Sequence, residues 1–158
     1  MSHQINGFIA EHDALVEAAR AIPSARVCQL RMGFGFLPLS ESLAPYNAPE
    51  TDDAVFYRLT AQLETFAVEQ SSKFPIAYIE TDYFGGAGSQ SAVAWKGGAA
   101  ILGPIKTIDG SGKMTPLLEG AINQAMRALG AQRGAERDEF DALGLGMHRS
   151  NNDWMRGY

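Results

Sequence analysis

At 158 residues, with 46% apolar and 20% charged side chains, the chain can bury a core and has the composition of an ordinary globular protein, so a single domain over 1–158 is expected. No apolar run reaches the length of a membrane span, and the polar start Met1-Ser2-His3-Gln4 lacks a signal peptide's basic and apolar regions, so a cytoplasmic protein without membrane contact is expected. One cysteine, Cys28, excludes an internal disulfide and a multi-cysteine metal site, and the net charge of −5 argues against nucleic acid, which demands a basic footprint.

The first periodic segment, residues 8–22, reads as an amphipathic helix. Phe8, Ile9, His12, Leu15, Val16, Ala19 and Ile22 recur at three- and four-residue intervals, and Pro23 stops the pattern. On that apolar stripe His12 is a core histidine rather than a ligand. Residues 26–37 then alternate, with Cys28, Leu30, Met32, Phe34 and Phe36 on one face, as in a half-buried strand. Residues 37–53, with Pro38, Pro45 and Pro49, form a loop long enough to suggest a function.

Asp52 and Asp53 put negative charge at the start of a second helix, where the dipole favours it. Its stripe is Val55, Phe56, Leu59, Leu63, Phe66 and Ala67, down to about residue 70. From 41 to 70 there are six carboxylates against Arg58 alone, a charge equal to the whole chain's excess. Such a surface suits a basic protein partner, or solubility alone.

An apolar strand over 74–83 follows and runs into Gly85-Gly86-Ala87-Gly88, three glycines in four residues. Glycine serves backbone at positive φ or close approach by another group, so this loop is built for a special turn or for a docking partner. A strand over 91–96, the Gly97-Gly98 hairpin turn and a strand over 99–102 complete an antiparallel meander. Thr115-Pro116 caps a third helix that reaches Leu129 and stops at Gly130. A helical piece over 138–143 precedes a polar tail with Trp154 and Tyr158. The order of elements predicts an α+β fold: an antiparallel sheet of about four strands with three or more helices packed on one face.

Chemistry-bearing groups are few. Glu80 and Asp82 share a strand face, a pair suited to sharing a proton or holding a divalent cation. The structural alternative is that they meet solvent at the sheet's end or pair with an arginine such as Arg31 or Arg149. The glycine loop lacks the lysine of a phosphate loop and follows two carboxylates that would repel phosphate. The run Asp109-Gly110-Ser111-Gly112-Lys113-Met114 has Thr107 and Met114 where a nucleotide-binding loop needs Gly and Ser or Thr, so that motif fails. His3, His12 and His148 show no zinc spacing. His148 with Asp138, Glu139 or Asp141 would make an acid–base pair, but no nucleophile is marked, and Cys28 reads as packing. No catalytic residue, metal or cofactor is therefore expected.

The run Ala77-Tyr78-Ile79-Glu80-Thr81-Asp82-Tyr83-Phe84-Gly85-Gly86-Ala87-Gly88-Ser89-Gln90, with Val93-Ala94-Trp95 after it, resembles a recurrent pattern of small bacterial proteins. The later blocks Ile122-Asn123-Gln124-Ala125-Met126-Arg127-Ala128-Leu129-Gly130 and Asp138-Glu139-Phe140-Asp141-Ala142-Leu143-Gly144-Leu145 resemble it too. Together they cover under half the chain. Proteins of this kind are encoded beside polymorphic or contact-dependent toxins, and many act as immunity proteins. The resemblance implies a binding protein that neutralises a cognate toxin by occluding its functional face, and the acidic charge fits a toxin with a basic surface. Its expected contact residues are Glu80, Asp82, Tyr83, Phe84, Gly86, Gln90, Asp52 and Asp53. The alternatives are a small enzyme or ligand-binding domain using Glu80, Asp82, Tyr83 and the glycine loop, or a structural or regulatory partner in a bacterial complex.

Overall fold

A computed structural model describes residues 2–41, 54–85, 87–109 and 120–157. The strands are β1 (Ser2–His3), β2 (Asn6–Glu11), β3 (Cys28–Gln29), β4 (Phe34–Pro38), β5 (Ile76–Phe84), β6 (Ala87–Lys96) and β7 (Ala99–Asp109). The helices are α1 (His12–Ala19), α2 (Ala61–Gln70), α3 (Ala121–Ala128), α4 (Glu139–Leu143) and α5 (Asn151–Arg156), with a 3₁₀ turn at Leu145–Met147. The fold is α+β around an antiparallel sheet, as expected, but the sheet has seven strands rather than about four. Its order is β3-β4-β2-β5-β6-β7, with β1 also on β5. The pairs Ser2↔Phe84, His3↔Tyr83, Asn6↔Glu80 and Gly7↔Ile79 keep one register, so β1 and β2 act as one strand interrupted at Gln4 and Ile5.

Helices cover both sheet faces, which corrects the one-face expectation. Ile9, Phe36, Ile79, Ala92 and Ala94 pack with Ile122 and Met126 of α3, Leu143 of α4 and Trp154 of α5. On the opposite face Phe8, Leu37, Tyr78, Val93 and Trp95 pack with Leu15 of α1 and Leu63 and Ala67 of α2. This double burial explains the misreading of residues 8–22. Phe8, Ile9 and Ala10 are all fully buried, so the alternation that marks a strand is absent. The segment is strand to Glu11 and helix only from His12, and His12 lies half-buried beside Asp13 rather than in the core.

Residues 26–37 fold as a hairpin, not one strand. Met32 and Gly33 adopt φ of 63° and 79°, the two left-handed positions of a tight turn, and Phe34 N–H bonds to Arg31 O at 3.3 Å. Met32 is consequently exposed. The second helix starts later than its apolar stripe, at Ala61, where the Thr60 hydroxyl accepts from Leu63 N–H. Phe56 and Leu59 still pack against the core, but from irregular backbone. The expected Asp52-Asp53 start lies outside the described residues.

The glycine loop contracts to a two-residue connection, because Phe84 pairs with Ala87. Gly85 has φ of 63°, Gly86 lies outside the described residues, and Gly88 sits inside β6, where a Cβ would come within 2.7 Å of Tyr83 Cα. Gly97 and Gly98 form the expected turn with φ of 65° and 84°. The last strand runs past Pro104 to Asp109. As the sheet's edge on that side, β7 tolerates a residue without an N–H, and the ladder shifts register there. The Thr115-Pro116 cap lies outside the described residues, whereas 138–143 forms α4 with Asp138 as its cap, close to expectation. The polar tail is instead α5, and it buries Trp154 against Phe36 and His148 at ring-centre distances of 5.6 and 4.6 Å.

Candidate functional site

The site develops where β5 leaves the cover of the irregular segment 54–60. Glu80 is 5% exposed. Its Oε1 accepts from Tyr57 N–H at 2.8 Å, and its Oε2 accepts from Arg58 N–H at 2.9 Å and from the Tyr78 hydroxyl at 2.7 Å. These bonds hold residues 57–58 against the sheet in place of the predicted helix turn. Burial raises the Glu80 pKa above the usual carboxylate range, opposed by the Tyr78 hydroxyl, the two backbone N–H groups and the Arg58 charge. Burial, reinforced by the neighbouring Glu80 charge and hydrogen bond, pushes the Tyr78 phenol well up.

Arg58, and neither Arg31 nor Arg149, is the arginine of this cluster. Its Nη1 donates to Asn6 Oδ1 at 3.0 Å, its Nη2 donates to Ser40 O at 3.4 Å, and Nη2 lies 3.5 Å from Glu41. Asn151 completes the network from the far end of the chain. It donates to Asn6 Oδ1, Asn6 O and Leu39 O at 2.7, 3.0 and 2.8 Å, and accepts from Asn6 N–H at 2.9 Å. Above this floor opens a cleft of about 420 Å³ whose walls include Gln4, Glu41, Asp82 and Asn152.

Asp82 shares the face of Glu80, as the spacing predicted, but it is exposed, and among the described residues its carboxylate has no hydrogen-bond or ion-pair partner. Further along, Phe84 is 77% exposed. Asp82 pairs with Ser89 and Ser89 with Ile108, so Ile108, 73% exposed, stands on the same face two strands away. Two large exposed apolar side chains and a carboxylate without a partner among the described residues thus mark this end of the sheet.

Tyr83 and Gln90 face the other way. The Tyr83 hydroxyl donates to Asp109 Oδ2 and accepts from Gln90 Nε2–H at 2.9 Å, while Gln90 Oε1 accepts from Ile122 N–H at 2.8 Å. Thr107 Oγ1 accepts from Ala121 N–H at 3.1 Å. Sheet side chains therefore cap the first turn of α3. Burial, with the Asp109 carboxylate as hydrogen-bond acceptor, holds the Tyr83 phenol far above its ordinary value. Of the eight contact residues expected, the sheet end gathers Glu80, Asp82 and Phe84 on one face and Tyr83 and Gln90 on the other. Gly86, Asp52 and Asp53 lie outside the described residues.

The expected acid–base partners of His148 are engaged elsewhere. Asp138 caps α4 through Asp141 N–H, Glu139 pairs with Arg127 at 2.9 Å and Asp141 with Arg137 at 3.1 Å. His148 instead sets its ring on Trp154, with Nε2 buried and unbonded among the described residues. Cys28 donates to Trp154 O at 3.3 Å, and burial pushes its thiol pKa up, away from thiolate chemistry. Among the described residues no group of three or more His, Cys, Asp or Glu could hold a metal ion.

Sequence reasoning missed Tyr57, Arg58, Asn6, Asn151 and Ile108. Arg58 had a usable signal, being the lone cation of the acidic segment. Ile108 had one as well, since Lys106 and Ile108 alternate with Ile105 and Thr107. The asparagines had none. Comparison with known proteins returns no match: no family model, curated protein or solved structure is similar to this chain.

Proposed function

We propose that the chain is a non-catalytic bacterial binding protein of the immunity type, acting in the cytoplasm by occluding the functional surface of a cognate protein toxin. The observation that carries this reading is the exposed sheet end, where Phe84 and Ile108 stand in solvent on the same face as the exposed Asp82. Exposed large aromatic and aliphatic side chains rimmed by polar groups suit protein contact, where a few such anchors supply most of the binding energy. The carboxylate best placed for chemistry, Glu80, has its oxygens committed to backbone and hydroxyl donors. The acidic surface suits a basic partner, with nucleic acid and membrane as poor alternatives. No helix among the described residues is long and apolar enough to cross a membrane.

Co-expression with the protein encoded directly upstream tests the reading. A stable complex and suppressed toxicity are expected. Lack of both, with turnover of a small metabolite by the purified chain, would contradict it. The cleft beside Glu80 favours a second reading, a small ligand-binding domain.

A further inference from the structure

The cleft and the apolar sheet end are continuous, because Asp82 belongs to both. Among the described residues, three carboxylates, Glu41, Glu80 and Asp82, line the cleft against one guanidinium. Their placement decides the polarity of the opening. The Arg58 side chain is 8% exposed and donates to Asn6 and Ser40 on the floor, whereas the Glu41 side chain, 3.5 Å from its Nη2, is 77% exposed and Asp82 faces solvent. The rim adds the exposed amides of Gln4 and Asn152. An incoming group therefore meets the exposed Glu41 and Asp82 carboxylates and the rim amides first and the buried guanidinium last.

The floor is also fixed in shape. Asn6 and Asn151 are buried and mutually hydrogen-bonded, and Glu80 is held by three donors, so little of the wall needs to reorganise when something enters. Acceptors arranged around a hollow suit a group with several donors in fixed directions. A guanidinium offers five N–H donors in a planar fork, while an ammonium offers three on a compact centre.

We propose that this cleft receives an arginine side chain of the protein partner, with Asp82 as its principal ionic contact and Gln4 and Asn152 as amide acceptors, while Phe84 and Ile108 pack on apolar surface beside that arginine. The proposal rests on the binding-protein reading for the identity of the partner. The recognition chemistry itself can be measured without that partner.

The test titrates the isotopically labelled protein with L-arginine amide and follows backbone and side-chain amide resonances. Saturable shifts at Gln4, Asp82 and Asn152 are expected, weakened about tenfold or more in Asp82→Asn, the usual consequence of removing a charge-assisted hydrogen bond. L-citrulline amide, which keeps the shape but not the charge, should bind much more weakly. Equal shifts with citrulline amide, equal affinity for L-lysine amide, or indifference to Asp82→Asn would overturn the assignment. Preference for inorganic phosphate would do so too, by showing that Arg58 governs the opening. Arginine amide failing here while the upstream-encoded protein still binds would remove the arginine pocket alone. The reverse result would retain the pocket and remove the toxin as its source.

Discussion

Glu80 and Asp82 are two residues apart on one face of β5, yet their surroundings are opposite. Glu80 is buried under residues 57–58, accepts three hydrogen bonds and has its pKa raised. Asp82 is exposed and unpaired among the described residues. Chemical identity and strand position are nearly the same, so the difference comes from what crosses the sheet above them. Residues 57–58 lie over Glu80, whereas Asp82, Phe84 and Ile108 on the same face are exposed. The covered part of this strand holds the fold together, and the exposed part is the surface proposed to meet a partner.

The strongest way to break that contrast is Glu80→Ala. It leaves the backbone N–H groups of Tyr57 and Arg58 and the Tyr78 hydroxyl without their acceptor, and should cost about 3–5 kcal/mol in denaturant unfolding, at roughly 1–3 kcal/mol for each buried donor left unsatisfied. Glu80→Gln keeps the size and one acceptor and should cost less. A loss below about 1 kcal/mol for Glu80→Ala, the scale of one ordinary hydrogen bond, would mean that the carboxylate does not pin residues 57–58. Asn151→Ala comes next, at roughly 1–3 kcal/mol, because Asn6 N–H and the Leu39 carbonyl lose a buried partner. An unchanged unfolding midpoint would detach α5 from the cleft floor.

A smaller effect, and one that depends on pH, comes from His3 on the opposite face. Its Nδ1 lies 2.8 Å from Thr81 Oγ1, its ring packs on Phe140, the backbone of Leu145 and His148 is adjacent, and the Arg149 charge is near. Burial lowers its pKa below 6.5. A depressed imidazole pKa means that the unfolded chain takes up the proton first. Its contribution to stability is therefore full above the unfolded value and is lost as pH falls toward the folded one. His3→Gln should flatten the stability profile below about pH 6.5, where an unperturbed histidine titrates. Coincident profiles would show that His3 is not held neutral by its surroundings.

How much of this was legible depends on the range of the interaction. The strand leading into Glu80, the meander and the Gly97-Gly98 turn were readable because alternation and turn chemistry act over a few residues. The helix predicted from 52 to 70 failed over its first part because Glu80, 22 positions from Arg58, claims the backbone donors there. The tail was misread because Asn151 finds Asn6 at a separation of 145. Strand β2 was lost to the opposite problem: burial on both faces erased its alternation. For the site, the shared face of Glu80 and Asp82 was visible from their spacing. Their division into a buried and an open carboxylate was not, since it depends on a chain segment that approaches from elsewhere.

The smallest expected effect on stability is at the open end. Phe84→Ser and Ile108→Ser each remove an exposed side chain and should shift unfolding by no more than about 0.5 kcal/mol, as surface changes generally do. That near-neutrality makes them the direct probe of the central claim. Calorimetric affinity for the upstream-encoded partner should be measured for the wild-type chain, for Asp13→Asn as an exposed control, and for the Phe84→Ser/Ile108→Ser double variant. If the uncovered sheet end is the contact surface, the double variant binds at least about tenfold more weakly at an unchanged melting temperature, while the control binds as wild type does. Wild-type affinity in the double variant would contradict the account.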